Sequence, residues 1–270
     1  MKFVYTVLLI SVTSLMGLFG LTACQKPAKD SNTIIVGVIS GPEADIMNVA
    51  KEVAKKKYDL NVKVVEFSDY SQPNAALNDG SLDANVFQHK MFMESEIKNK
   101  GYKLVSIGNT FVYPMAVYSS KIKNITEVPD GGIVAIPNDT SNEARALILL
   151  SKAKLITLKP GVDVTATPLD IIDNPKHLQF KELDAAQLPR VLPDVSLSVI
   201  NTNFAMLAGL YSSKDAVFVE DKTSPYVNLI VTREDNADNP RLKEFVKAYQ
   251  SPEVLQKANE VFKGQAIAGW

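Results

Sequence analysis

From residue 33 onward, short runs of β-branched residues alternate with amphipathic helical patterns. The first run, 33–39, is followed by a Ser-Gly-Pro turn and then by apolar residues at helical spacing, Ile46, Val49, Ala50, Val53 and Ala54. A second strand is predicted at 62–67. Because strands that alternate with helices favour mainly parallel sheets covered by helices, the chain is predicted to be an α/β protein.

The same alternation continues to the end of the chain. Further helices are predicted at 74–78, 90–100, 142–153, 240–249 and 252–262, and further strands at 84–87, 132–136, 178–183, 197–200 and 217–219. Two extended segments, 105–117 and 226–232, are predicted to cross between two α/β lobes. The first lobe would hold residues 33–116 and 229–270, and the second would hold residues 117–228. Two crossings allow hinged closure around a ligand cleft.

The N-terminal segment has the pattern of a lipoprotein signal peptide. Lys2 precedes an apolar stretch, 3–21, which ends in Leu21-Thr22-Ala23-Cys24. We predict cleavage after residue 23, lipid attachment to Cys24, and a flexible tether over 24–32. A membrane-spanning helix is the alternative, since about 19 apolar residues can just cross a bilayer. The lipid interpretation places the protein in the cell envelope, anchored to a membrane and facing the periplasm or the outer surface.

The inventory of reactive side chains argues against an enzyme. Cys24 is the only cysteine, and His89 and His177 are the only histidines. The chain contains no nucleophile elbow, zinc-binding helix motif or phosphate-binding glycine loop. Its net charge of −1 does not favour a nucleic-acid partner. We therefore expect a binding protein without catalytic residues, metal or cofactor.

Aromatic and amide side chains cluster at predicted loops and strand ends, where α/β proteins bind ligands. They are Tyr70, Phe87, His89, Phe92, Tyr113, Asn138, Asn201 and Asn228. For an isolated aromatic residue, a place in the core is the ordinary interpretation. Together these residues predict a cleft for a small, partly apolar ligand. His89 is interpreted as a neutral pocket wall, with a structural role or a catalytic or metal-binding role as alternatives.

Six separated sequence motifs resemble those of the methionine-binding lipoproteins of the MetQ/NlpA family. In chain order they are Gly37-Val38-Ile39-Ser40-Gly41, Phe87-Gln88-His89-Lys90, Gly108-Asn109-Thr110-Phe111-Val112-Tyr113-Pro114, Pro137-Asn138-Asp139, Gln187-Leu188-Pro189-Arg190 and Ser224-Pro225-Tyr226-Val227-Asn228. The similarity runs from about residue 33 to the C-terminus. It implies a periplasmic-binding-protein fold of two α/β lobes, acting as a monomer that delivers methionine to the permease and ATPase of an ABC importer.

The resemblance also implies a role for each candidate residue. Tyr70, Phe87, His89, Phe92 and Tyr113 would line the side-chain pocket, Arg145 would hold the ligand carboxylate, and Asn138, Asn201 and Asn228 would bind the amino and carboxyl groups. A guanidinium presents a planar fork to a carboxylate, and a thioether packs well against aromatic rings. No acidic residue is an obvious partner for the ligand ammonium. Arg145 and Asn228 are not assigned to the apolar core, so alanine at either position is expected to leave the fold intact.

Two positions depart from the family pattern, since Phe92 stands where many members have Tyr and Met91 where they often have Pro. These differences affect the fine shape of the pocket. Another apolar amino acid or a methionine-containing dipeptide is therefore an alternative ligand. A surface lipoprotein or adhesin with a vestigial cleft is a different class of alternative. An exported hydrolase would need a nucleophile and a base that the sequence does not supply.

Overall fold

The computed structural model describes residues 32–270, which form one compact unit. The predicted signal peptide, the lipidated Cys24 and the tether up to residue 31 lie outside the described residues. Within the described part of the chain, no helix combines the length and the apolar character needed to cross a membrane.

The described residues form thirteen strands and eight α-helices. The strands are β1 Thr33–Ile39, β2 Asn61–Phe67, β3 Ala84–His89, β4 Leu104–Val112, β5 Ala116–Tyr118, β6 Ile133–Pro137, β7 Thr157–Leu158, β8 Ile171–Asp173, β9 Gln179–Leu183, β10 Leu197–Ile200, β11 Ala216–Val219, β12 Val227–Arg233 and β13 Ile267–Ala268. The helices are α1 Pro42–Tyr58, α2 Pro73–Asn78, α3 Lys90–Lys100, α4 Thr140–Lys152, α5 Thr202–Leu207, α6 Ser212–Asp215, α7 Pro240–Tyr249 and α8 Pro252–Val261. The predicted elements are confirmed within a few residues, whereas β7, β8, α5, α6 and β13 had no clear sequence signal.

Two sheets carry the architecture. The first sheet has the strand order β13-β4-β12-β3-β1-β2, and the second has the order β11-β5-β10-β6-β9. The chain passes from the first sheet to the second at 113–115 and returns at 220–226. The break at 113–115 contains Pro114. The predicted lobe boundaries stay a prediction, since residues 32–270 form one compact unit.

The expectation of mainly parallel sheets is wrong, because both sheets are mixed. β1 pairs in parallel with β2 and β3, and β6 pairs in parallel with β9 and β10. β12 is antiparallel to β3 and β4, and β5 is antiparallel to β10 and β11. The antiparallel strands flank the two points where the chain changes sheets. The strands next to these points run antiparallel to their neighbours in the sheet. The hydrophobic pattern of each single strand does not reveal this direction.

Separate apolar cores support the two sheets, and a third cluster joins them. The C-terminal helices α7 and α8 pack with α1 on the first sheet, through buried side chains that include Phe245 and Phe262. Helix α4 packs on the second sheet. The joining cluster combines Phe87 and Phe92 of the first sheet and its helix α3 with residues such as Ile200 of the second. The ends of the two sheets are therefore held against each other beside the candidate site.

Candidate functional site

A cavity lies between the two sheets, where residues of both meet. About 370 Å³ of space not occupied by protein atoms lies there, part of it continuous with solvent. Its lining residues are Glu43, Tyr70, Phe87, Gln88, His89, Phe92, Tyr113, Asn142, Arg145, Asn201, Thr202, Asn203 and Asn228. Most of these side chains are buried.

Eight of the nine sequence-predicted ligand residues line this cavity, and Asn138 does not. Asn138 follows β6 directly, but its side chain is exposed, and its backbone N–H donates to the Leu183 carbonyl oxygen at 2.9 Å. Asn142, in the first turn of α4, lines the cavity instead. The carboxyl end of β6 leads toward the site, and the next helix supplies the side chain that reaches it.

Aromatic rings form one wall of the cavity. The Tyr70 ring centroid lies 5.8 Å from that of Phe87 and 5.9 Å from that of Phe92, and the Phe87 and Phe92 centroids are 5.7 Å apart. The Tyr70 hydroxyl donates a hydrogen bond of 2.7 Å to Asn203 Oδ1. This bond joins the first sheet's side of the cavity to α5. The wall thus offers ring surfaces to an apolar group and has its one hydroxyl already bonded.

His89 is a neutral member of the cavity lining and also caps a helix. Its Nδ1 accepts the backbone N–H of Phe92 at 3.2 Å, at the start of α3. Its Nε2 lies 3.4 Å from Asn142 Oδ1, which suits an Nε2–H donor. Burial, and then the charge of Arg145, lower the pKa of His89 to about 3. His89 therefore lines the cavity as a neutral side chain and also has a structural role, because it caps α3.

Arg145 lies in a buried ion pair that the sequence did not predict. Its Nε and Nη2 donate to the two carboxylate oxygens of Glu220 at 3.0 and 2.5 Å, and Nη2 also donates to the Tyr113 carbonyl oxygen at 3.0 Å. The guanidinium carbon lies 4.2 Å from the centroid of the Tyr226 ring. Glu220 also accepts the Met115 backbone N–H at 3.1 Å. Arg145 is therefore tied to both segments that cross between the sheets.

One guanidinium nitrogen of Arg145 remains uncommitted. Among residues 32–270, Nη1 has no hydrogen-bond partner. Arg145 lines the cavity, and its side chain is 4% exposed. The expectation that alanine at this position leaves the fold intact therefore needs correction. Removing the guanidinium would leave the Glu220 carboxylate buried without a counter-charge.

Three asparagines, Asn142, Asn201 and Asn203, also line the cavity. Asn201 Nδ2 donates to Asn142 Oδ1 at 2.9 Å, and Asn142 Nδ2 donates to both carboxylate oxygens of Asp139 at 3.0 Å. Asn203 accepts the Tyr70 hydroxyl. Asp139 also caps the start of α4 by accepting the Asn142 backbone N–H. These bonds orient the amides and leave the Asn201 carbonyl and the Asn203 amino group free.

Glu43 is one of five cavity-lining residues that the sequence did not predict, together with Gln88, Asn142, Thr202 and Asn203. It lies in the first turn of α1, directly after β1, and is 4% exposed. Asn228 Nδ2 lies 3.4 Å from Glu43 Oε1 and donates to the Phe87 carbonyl oxygen at 3.2 Å. Burial raises the pKa of Glu43 to about 8. The rule that ligands gather at the carboxyl ends of strands also applies to Glu43, although no acidic residue was an obvious partner for the ligand ammonium from the sequence.

Buried polar atoms without hydrogen-bond partners concentrate at this cavity. Within residues 32–270 there are six such side-chain atoms, and three belong to cavity-lining residues, namely Glu43 Oε2, Asn201 Oδ1 and Asn203 Nδ2. Buried polar groups in folded proteins are nearly always bonded, so unsatisfied ones need an explanation. The two acceptors and the one donor belong to residues that line one cavity, and Arg145 lines the same cavity. This arrangement suits a ligand that has both cationic and anionic polar groups.

The residues around the cavity do not form a recognisable metal site. In the described part of the chain, no group of three or more His, Cys, Asp or Glu residues is arranged to hold a metal ion. The site therefore offers apolar contact, hydrogen bonding and charge to a ligand.

Comparisons with known proteins agree on one family. The model of the NlpA lipoprotein family matches residues 34–270. The D-methionine-binding lipoprotein MetQ of Salmonella typhi is 55% identical over 262 residues, which are 96% of this chain and 97% of that protein. A solved ABC transporter periplasmic substrate-binding protein from Coxiella burnetii is 52% identical, with a TM-score of 0.85, over 87% of this chain and 100% of that one. A nutrient binding protein from Burkholderia cenocepacia, solved bound to methionine, is 52% identical with a TM-score of 0.86, over 88% and 100% of the two chains.

Proposed function

We propose, since this chain belongs to the NlpA lipoprotein family, that it binds free methionine in the cavity between its two sheets and delivers it to a membrane ABC importer. The relatives are named as a D-methionine-binding lipoprotein and as an ABC transporter substrate-binding protein, and one was solved with methionine. These names describe the relatives. The argument for this chain rests on its own cavity.

The observation that carries the proposal is the set of unsatisfied polar atoms on the cavity lining. A zwitterionic amino acid brings three ammonium donors and two carboxylate oxygens. Glu43 Oε2 and Asn201 Oδ1 can accept from the ammonium, while Asn203 Nδ2 and Arg145 Nη1 can donate to the carboxylate. One ligand of this chemistry would satisfy all four atoms. A purely apolar ligand would satisfy none of them and would leave buried polar groups unpaired.

The aromatic wall supports methionine among the amino acids. The rings of Tyr70, Phe87 and Phe92 lie within 6 Å of one another and form an apolar surface beside the polar atoms. A thioether is polarizable and gains about 0.3–1.5 kcal/mol from contact with an aromatic ring. The unbranched methionine side chain also adapts to irregular space. In this proposal His89 is a neutral wall, and Asn142 occupies the place that the sequence suggested for Asn138.

Methionine is expected to raise the melting temperature of ligand-stripped protein. A ligand that binds only the folded state at a hundred times its Kd stabilises that state by about 2.7 kcal/mol. For a chain of this size, that corresponds to a rise in Tm on the order of 5–10 °C. Differential scanning calorimetry with L-methionine and D-methionine in separate runs measures the effect and the stereochemical preference.

Norleucine and leucine are the matched controls for this measurement. Norleucine replaces the sulfur with a methylene group, and leucine changes the shape as well. Both should raise Tm less than methionine does at equal concentration. A shift with another amino acid or a methionine dipeptide, and none with methionine, would show that the ligand has changed.

Delivery to a permease requires that the protein stay near the membrane, and we propose that a lipid on Cys24 holds it there. Replacing Cys24 with alanine is expected to abolish lipid attachment, because the acceptor thiol is lost. Radiolabelled palmitate incorporation and membrane fractionation of the expressed protein measure this. Continued labelling of Cys24→Ala protein would exclude the lipobox. Ser40→Ala, outside the predicted signal peptide and tether, is a suitable labelling control.

A further inference from the structure

We propose that Glu43 is the acceptor for the ammonium group of the bound amino acid and the residue that makes the cavity select ligands with a free α-amino group. This inference rests on the proposed function and extends it to a specificity-determining residue. It starts from a carboxyl group that is buried in the cavity lining and has an unpartnered oxygen, Oε2.

The two charged groups of the cavity lining differ in whether they have a partner of opposite charge. Arg145 is already paired through two nitrogens with Glu220, so its charge is largely compensated. Within residues 32–270, no salt bridge reaches Glu43. The neighbour that donates toward Glu43 is the neutral amide of Asn228, at 3.4 Å from Oε1. A buried carboxyl without a cation either keeps its proton or waits for a cation from the ligand.

An amino acid ammonium has the right chemistry for this position. It carries a positive charge and three donors, and Glu43 Oε2 together with Asn201 Oδ1 offers two unsatisfied acceptors on the same cavity. Glu43 also stands in the first turn of α1, where the positive end of the helix dipole favours an ionised carboxylate. An ammonium against ionised Glu43 would form a charge-assisted hydrogen bond, which is stronger than a neutral one. A ligand without the amine would leave both acceptors unpaired.

The protonation state of the Glu43 carboxyl before ligand binding provides a way to test the inference. In the ligand-free protein burial raises the pKa of Glu43 to about 8, so near pH 7 the carboxyl is mostly protonated. If the ammonium binds the ionised form, complex formation must release that proton. Affinity for methionine should therefore rise with pH below 8 and level off above it, because less proton release is needed.

Other ionisable groups near Glu43 do not account for such a proton. Burial raises the pKa of Tyr70, Tyr113 and Tyr249 further above the usual tyrosine value, and lowers the pKa of His89 to about 3. Arg145 is held in the ion pair with Glu220. Burial also raises the pKa of Asp139 and raises that of Glu143 to about 7, but neither residue lines the cavity. A substitution at Glu43 leaves Glu143 unchanged, so it distinguishes a proton released by Glu43 from one released by Glu143.

The test is calorimetric titration of ligand-stripped wild type and Glu43→Gln with two ligands, methionine and its des-amino analogue (methylthio)butanoate. Glutamine resembles the protonated acid in size, so the ligand-free fold should be retained, and circular dichroism checks this. Methionine affinity should fall about 10- to 100-fold in Glu43→Gln, while affinity for the des-amino analogue should change less than about threefold. Glu52→Gln, an exposed position on the same helix, should bind both ligands as wild type does.

A second measurement uses the same samples. Titrations at pH 7 in buffers with different ionisation enthalpies should show release of about one proton per methionine by wild type, and much less by Glu43→Gln. Unchanged methionine affinity in Glu43→Gln, or an equal loss for both ligands, would overturn the role of Glu43. Failure of the wild type to bind methionine at all would instead overturn the proposed function.

Discussion

Replacing Arg145 with alanine is expected to lower the free energy of unfolding of the ligand-free protein by about 3–5 kcal/mol. The reason is the partner that remains. Glu220 is buried, and its two carboxylate oxygens accept from Arg145 at 3.0 and 2.5 Å. Without the guanidinium, this carboxylate is left in the interior with no counter-charge. Urea denaturation followed by circular dichroism measures the loss as a lower midpoint.

A double variant separates the stability role of Arg145 from its role in binding. Arg145→Met combined with Glu220→Leu removes both charges and fills the space, so much of the lost stability should return. Methionine affinity should remain reduced, because the ligand carboxylate has lost its cation, at a cost on the order of 2–5 kcal/mol. Arg190→Ala, at an exposed position, should change stability by less than about 0.5 kcal/mol. If Arg145→Ala is as stable as Arg190→Ala, the ion pair has no structural importance.

Replacing Asn228 with alanine is expected to weaken methionine binding at least tenfold, which corresponds to about 1.4 kcal/mol. Asn228 lies on β12 opposite His89, donates to the Phe87 carbonyl oxygen at 3.2 Å and lies 3.4 Å from Glu43 Oε1. Its loss would leave these acceptors unpaired and would remove the group that orients Glu43. The hydrogen bond from Asn228 also lowers the pKa of Glu43, so the variant should bind methionine best at a higher pH than wild type.

Calorimetric titration at several pH values checks both parts of this prediction. Asn99→Ala, on the exposed face of α3, is the matched amide control and should keep wild-type affinity. Wild-type affinity in folded Asn228→Ala would remove Asn228 from the site. A pH profile identical to that of wild type would show that Asn228 does not influence Glu43.

The resemblance to the MetQ/NlpA family is confirmed by the family match over residues 34–270 and by relatives above 50% identity. The predicted two-part α/β fold is confirmed by the solved relatives. The expectation of a binding protein and not an enzyme agrees with the names of those relatives. Short sequence motifs near strand ends made these predictions possible, because ligands in α/β proteins bind at the carboxyl ends of strands.

Local pattern determined much of the chain. The β-branched run at Thr33–Ile39 and the apolar spacing of Pro42–Tyr58 indicated β1 and α1, since each element must bury one face to be stable. Pro42 opens α1 and Gly101 ends α3, where the chain adopts a positive φ of 71°. Such signals depend on neighbours in the sequence and need no knowledge of the fold.

Tertiary structure alone decided how the charged groups of the site are paired. Arg145 and Glu220 are 75 residues apart, and Glu43 and Asn228 are 185 residues apart. No spacing rule links residues at such distances, because their contact depends on the order of strands in two sheets and on the two crossings between them. Likewise, Asn142 and not Asn138 lines the cavity because of the direction in which the chain turns after β6. The sequence by itself therefore determined the family, the elements and most of the cavity lining, whereas the folded chain decided which polar groups are already satisfied and which remain free for a ligand.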